Sequence, residues 1–226
     1  HNLGLYHATE GTDEYGDETG LMGYSQNSFT TRMCYNNANN WQLGWYGLKR
    51  ESLDFSQRGG FSGTLVGIND YQNVAAGDGT DVVVKIVGGS GGDYFVGFNL
   101  QKGINANTYD APNQVTIQRQ VGLISTTSLV AKLSAGGQYK VANFQGTKSL
   151  IVKVTGINLS ATPAFATVMI YIDGCPPGQC GTACNVPCPT PPPTPSPTPR
   201  PTPSPTPSPT PQPTPLPTPS PTPPPT

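Results

Sequence analysis

The chain has 226 residues, five cysteines and a formal charge of -1, enough length for one large domain or two small ones with a real core. Near-neutrality without clustered Lys and Arg excludes a nucleic-acid partner, because phosphate binding needs concentrated positive charge. No apolar run approaches about 18 residues, so no membrane-spanning helix is expected. The sequence opens at His1 with neither an initiator Met nor a leader, and is read as a fragment.

Residues 1–8 (HNLGLYHA) are expected to finish a helix, with Gly4 near its end. Residues 9–30 are polar and Gly-rich and predict a loop, crowded with Glu10, Asp13, Glu14, Asp17 and Glu18. Residues 36–47 (NNANNWQLGWYG) predict a short helix, on which Trp41 and Trp45, four apart, share a face. Core packing is the expected role of both.

From Leu53 the apolar period changes to two. Short β-branched or aromatic runs follow at 63–68, 81–87, 94–100, 114–120, 128–133, 138–141, 149–154 and 166–172, separated by Gly, Asn and Asp. This spacing predicts a mostly β protein, an antiparallel sandwich or barrel. Cys175, Cys180, Cys184 and Cys188 lie beside Pro and Gly without a nearby His. Their intervals are not those of a C-x2-C zinc pair, so disulfides in an oxidising space are expected. Cys34 is the odd thiol, expected to pair with the tail or with a residue upstream. Residues 189–226 alternate Pro with Ser and Thr, which predicts polyproline II reaching roughly 120 Å at about 3.1 Å per residue. That pattern is also a scaffold for O-linked sugar. Asn158-Leu159-Ser160 is an N-glycosylation sequon. The expected organisation is 1–50, the end of a catalytic domain; 51–174, an antiparallel β domain; 175–188, a Cys-rich knot; and 189–226, a disordered Pro-Thr-Ser-rich tail.

The chemistry starts from His1 and His7. Residues six apart on a helix point to different faces, so two such imidazoles meet only if the chain turns between them. Gly4 permits that turn through a left-handed backbone. The pattern resembles the second half of H-E-x-x-H-x-x-G-x-x-H, the metzincin zinc signature, which makes His1 the second ligand, Gly4 the turn and His7 the third ligand. The first His would precede His1 by four residues and the catalytic Glu by three. Met22, in the Gly-bounded stretch Leu21-Met22-Gly23-Tyr24, fits the metzincin Met-turn beneath the ligands.

Taken in order, HNLGLYHA, DEYGDETGLMGYS and CYNNANNWQLGWY resemble the gametolysin family of green-algal matrix metalloproteases, closely over about 1–50 and in style over 51–172. The resemblance implies a Zn2+-dependent endopeptidase. Its implied partners are protein and glycoprotein substrates of the extracellular matrix or cell wall, rich in proline, in a secreted setting. Three His would hold zinc, and the upstream Glu would take a proton from water and pass it to the leaving amine. The chain itself, without that Glu and the first His, is expected to be inactive.

Tyr24, two residues past Met22, is a candidate zinc or oxyanion contact, as in some other metzincins; a packed turn aromatic is its bland reading. The acidic loop offers oxygens to Ca2+ but lacks D-x-D-x-D-G spacing, so a solvated loop is expected. Two other functions are carried alongside. One is a non-catalytic β-sandwich matrix protein on a glycosylated proline-rich stalk. The other is carbohydrate stacking on Tyr71, Tyr94, Phe95, Phe98 and Tyr109, residues otherwise expected in the core.

Overall fold

The structure is a computed structural model; it describes residues 1–23, 33–74, 79–88, 91–122, 125–175 and 177. Two compact units are distinguished, His1–Thr190 and Pro191–Thr226, and the second lies wholly outside the described residues. The expected polyproline tail therefore lies outside them as well.

Among the described residues, eleven strands and one α-helix occur. The strands are β1 (Ala8–Glu10), β2 (Arg50–Leu53), β3 (Gly60–Val66), β4 (Thr80–Asp81), β5 (Val83–Ile86), β6 (Asp93–Asn99), β7 (Gln114–Gln120), β8 (Thr127–Leu133), β9 (Gln138–Gln145), β10 (Lys148–Asn158) and β11 (Phe165–Ile172); the helix is α1 (Asn37–Gln42). A six-stranded sheet runs β1-β8-β7-β6-β5-β2, and a five-stranded sheet runs β4-β3-β11-β10-β9.

The fold is mostly β, as the period of two predicts, and it is an open pair of sheets rather than a closed barrel. The sheets are mixed rather than purely antiparallel. β1 runs parallel to β8, β2 to β5 and β4 to β3, each a short strand on a sheet edge. Parallel neighbours need long connections. β1 reaches β8 and β2 reaches β5 only through intervening strands, and β3 reaches β4 through 67–79.

Alternation places Tyr94, Val96, Phe98, Val115 and Ile117 of the first sheet inward. They meet Phe61, Leu65, Leu150, Val152, Val154, Val168 and Ile170 of the second sheet in one continuous apolar core. Burying each such side chain contributes about 1.5–3 kcal/mol. The outer face of the first sheet is covered as well. There α1 packs against β5, β6 and β7, and Trp41 lies 6.2 Å from Phe95 between ring centroids.

The α-helix is shorter than the sequence predicts. Asn36 caps it by accepting from the Asn39 amide, and Gly44 takes φ +72 just beyond its end. Trp45 consequently leaves the helix. It is 43% exposed and packs edge-on to Tyr35, so the two tryptophans do not share a face. The helix end expected at 1–8 is also absent; the described chain there is a turn followed by β1. The boundary drawn at residue 50 marks no break in packing, since β1 and β2 are edge strands of the same sheet as β5–β8.

Candidate metal centre

Gly4 adopts φ +73, and its N–H donates to the His1 carbonyl at 2.8 Å, closing a tight turn. The reversal brings the later imidazole back onto the earlier one. The two Nε2 atoms stand 2.9 Å apart, with ring centroids 4.7 Å apart and planes at 69°. His1, Gly4 and His7 are thus united by one turn of backbone.

The outer nitrogens set the protonation pattern. His1 Nδ1 donates to the Leu5 carbonyl at 3.1 Å, and His7 Nδ1 donates to Glu14 Oε1 at 2.7 Å. A carbonyl and a carboxylate only accept, so each ring carries its proton on Nδ1. Both Nε2 lone pairs therefore face one another, an arrangement that repels unless a cation or a proton lies between them. Two nitrogens at ~2.0–2.1 Å from one tetrahedral ion stand ~3.3 Å apart. The observed spacing is close to that, so the imidazole pair fits a divalent metal. Among the described residues, no group of three or more His, Cys, Asp or Glu converges.

Glu14 and Tyr15 reach this site through a second reversal. Gly11, at φ +57, lies in a tight turn across which Glu10 and Asp13 exchange backbone hydrogen bonds of 3.1 and 3.0 Å. The returning chain lays Glu14 against His7 Nδ1, and Tyr15 Oη comes within 3.2 Å of His7 Nε2, with ring centroids 4.3 Å apart. Sequence reasoning missed both residues, treating 9–30 as an undivided loop. The signal that locates them is the Gly-containing turn between two extended pairs. The loop carboxylates take separate partners: Glu10 pairs with Lys132, Asp13 receives the Tyr15 amide, and Asp17 is fully buried. They form no shared oxygen cage of the kind Ca2+ takes.

The backbone beneath His7 is tied down on both sides. Ala8 N–H donates to the Met22 carbonyl at 2.8 Å, so Met22 sits directly beside the strand that leaves His7. On the other side Thr127 N–H donates to the His7 carbonyl at 3.2 Å. Asn36 Nδ2 joins these layers, donating to Asp17 Oδ2 and to Thr127 Oγ1, each at 2.8 Å. Asn37 Nδ2 donates to Gln118 Oε1 at 2.7 Å and to Thr116 Oγ1 at 3.0 Å. Burial pushes the Asp17 carboxyl above its ordinary range, while hydrogen bonds from Thr19 and Asn36 oppose the rise.

Other expected sites fall elsewhere. Tyr24, Cys180, Cys184 and Cys188 lie outside the described residues. Cys175 is disulfide-bonded. Cys34 is a buried free thiol within this chain, pushed up to about 11 by desolvation, with its amide on Asn105 Oδ1. Asn158 is exposed at the end of β10, its side-chain carbonyl accepting from the Ser160 and Ala161 amides. The aromatics proposed for sugar stacking scatter. Tyr94 and Phe98 fill the inner core, Phe95 faces α1, and Tyr109 is exposed. Tyr71 joins Leu21, Cys34, Tyr35, Trp45 and Tyr46 around a cavity of about 450 Å³ next to Met22 in the chain.

A convergent imidazole pair, a Gly turn and a Met backbone contact thus meet at this end of the chain. Residues 1–57 match the family described as Gametolysin peptidase M11, and the N-terminal segment is gametolysin-like. A metal belongs to such a family's activity. No curated protein and no solved structure matches the chain.

Proposed function

We propose that the chain is the C-terminal part of a secreted, zinc-dependent metalloendopeptidase acting on proline-rich glycoproteins of an extracellular matrix or cell wall. The observation that carries this reading is the convergence of His1 and His7 through Nε2 at 2.9 Å. These two imidazoles would hold the metal. Zinc, when bound, supplies Lewis acidity toward a scissile carbonyl. Glu14 accepts the Nδ1 proton of His7 and so holds that ring in the ligating tautomer. The Met22 carbonyl and the Thr127 amide fix the backbone on either side of the ring. The mostly apolar cavity beside Leu21 would receive a substrate side chain. The proline-rich tail would tether the enzyme to the wall that holds its substrates.

The test is zinc titration of the chain by calorimetry. One Zn2+ per chain is expected. His7→Ala weakens binding at least tenfold and Glu14→Gln about tenfold, the lower end of the range for outer-shell partners. Equal affinity in His7→Ala would sink the reading. The general base falls three positions before His1, so this chain is expected not to cleave casein or gelatin with added zinc. Chelator-sensitive cleavage by it would overturn that expectation.

A further inference from the structure

We infer that Tyr15 is an oxygen ligand of the same metal centre, a role that rests on the proposed pairing of His1 and His7. Two imidazoles leave a divalent ion short of its usual four donors. The atom that approaches them is the Tyr15 phenol oxygen, 3.2 Å from His7 Nε2. With His1 Nε2 at 2.9 Å from the same atom, His7 Nε2 has an imidazole nitrogen and a phenol oxygen within 3.2 Å. The phenol spacing is close to the ~3.3 Å of donors sharing one tetrahedral ion at ~2.0–2.2 Å, and the imidazole spacing is somewhat shorter.

The position of Tyr15 is built by the fold. Asp13 Oδ1 accepts the Tyr15 amide at 3.0 Å, and the turn at Gly11 fixes where the returning chain lies. Glu14 holds His7 from its far nitrogen while the Tyr15 ring lies tilted at 37° against the same ring. Consecutive residues thus grip one imidazole, one by orienting it and one by approaching the atom that ligates. Tyr15 is 41% exposed, so core packing does not explain its place. On ligation the phenol releases its proton to solvent and binds as phenolate.

Copper(II) is the probe, because it binds imidazole tightly and a coordinated phenolate gives it a visible charge-transfer band distinct from weak ligand-field absorption. Titration of the whole chain with Cu2+ alone is expected to produce that band at one equivalent. Tyr15→Phe is expected to abolish the band while weakening copper binding less than tenfold and leaving the far-ultraviolet circular dichroism unchanged. Tyr6→Phe should keep the band. Copper held through His7 with no phenolate band in the wild type would overturn the role of Tyr15 and leave the imidazole pair intact. Loss of the band in Tyr24→Phe rather than Tyr15→Phe would overturn it too. Copper binding untouched by His7→Ala would overturn the metal centre itself.

Discussion

The two sheets of the sandwich use their outer faces in opposite ways. On the second sheet, β11 alternates buried with half-buried residues, β9 buries Phe144 among half-buried and exposed residues, and β10 carries Lys153 and Thr155 outward. On the first sheet, six of the seven residues of β6 are buried, because the gametolysin-like segment lies over it. The inner faces meet through hydrocarbon alone in the core, whereas the covered outer face meets its lid through the apolar contact of Ala38 and Trp41 with Val83 and Phe95 and also through amides and hydroxyls, Asn37 to Thr116 and Gln118, and Asn36 to Thr127. Apolar contact is non-directional, while hydrogen bonds demand a particular distance and angle. The inner interface therefore supplies adhesion, and the outer one fixes where the His7 segment rests.

The comparison breaks most severely if the shared core fails. Ile117→Ala, at a fully buried inner position, is expected to cost about 2–5 kcal/mol. Both sheets should unfold in one denaturant transition; two separate transitions would show that the layers are independent.

Glycine substitutions sharpen the contrast. A methyl at Gly97 would overlap the Asn37 side-chain amide, so Gly97→Ala should destabilise by about 1–3 kcal/mol. At Gly156, on the second sheet, an added methyl meets only Thr167 Oγ1, at 3.2 Å, and Gly156→Ala should stay within about 0.5 kcal/mol of wild type. Similar losses for both would remove the distinction between the faces. Asn37→Ala, which strips Gln118 Oε1 of its donor, is expected to cost about 1–3 kcal/mol and to weaken zinc binding as the lid loosens.

The smallest effect is a slope. Asp17 is raised from 3.8 by burial, so the folded state holds its proton more tightly than the unfolded state. Its contribution to stability is full below pH 3.8 and is lost as pH rises through the raised value. Unfolding free energy of the wild type minus that of Asp17→Asn should therefore decline from acid toward neutral pH. A difference that rises or stays level would mean that Asp17 is not held in a desolvated site.

The strands were legible because alternation reports burial on one side. The run at 114–120 coincides with β7, and the run at 166–172 differs from β11 by one residue. The parallel edge strands were not legible, because three residues such as Ala8–Glu10 are too few to show a period. His1, Gly4 and His7 could be read together because one turn joins them. Glu14 and Tyr15 were hidden because their approach depends on the second reversal at Gly11, and loop composition does not state its direction. The burial of Asp17 was hidden for a different reason: its partners come from Asn36 and Gln118, far along the chain. Trp45 looked like a core residue until Gly44 ended the helix one step earlier.

The parallel pairing of β1 with β8 has a consequence for how the protein is made. Thr9 binds a residue 118 positions later, and the amide of Thr127 grips the His7 carbonyl. His7 is thus held by a strand that leaves the ribosome much later. A nascent chain carries its imidazoles untethered until the sandwich closes behind them. Any proteolytic capacity of the parent enzyme would then arrive with the finished fold, which spares the half-made chain from its own chemistry.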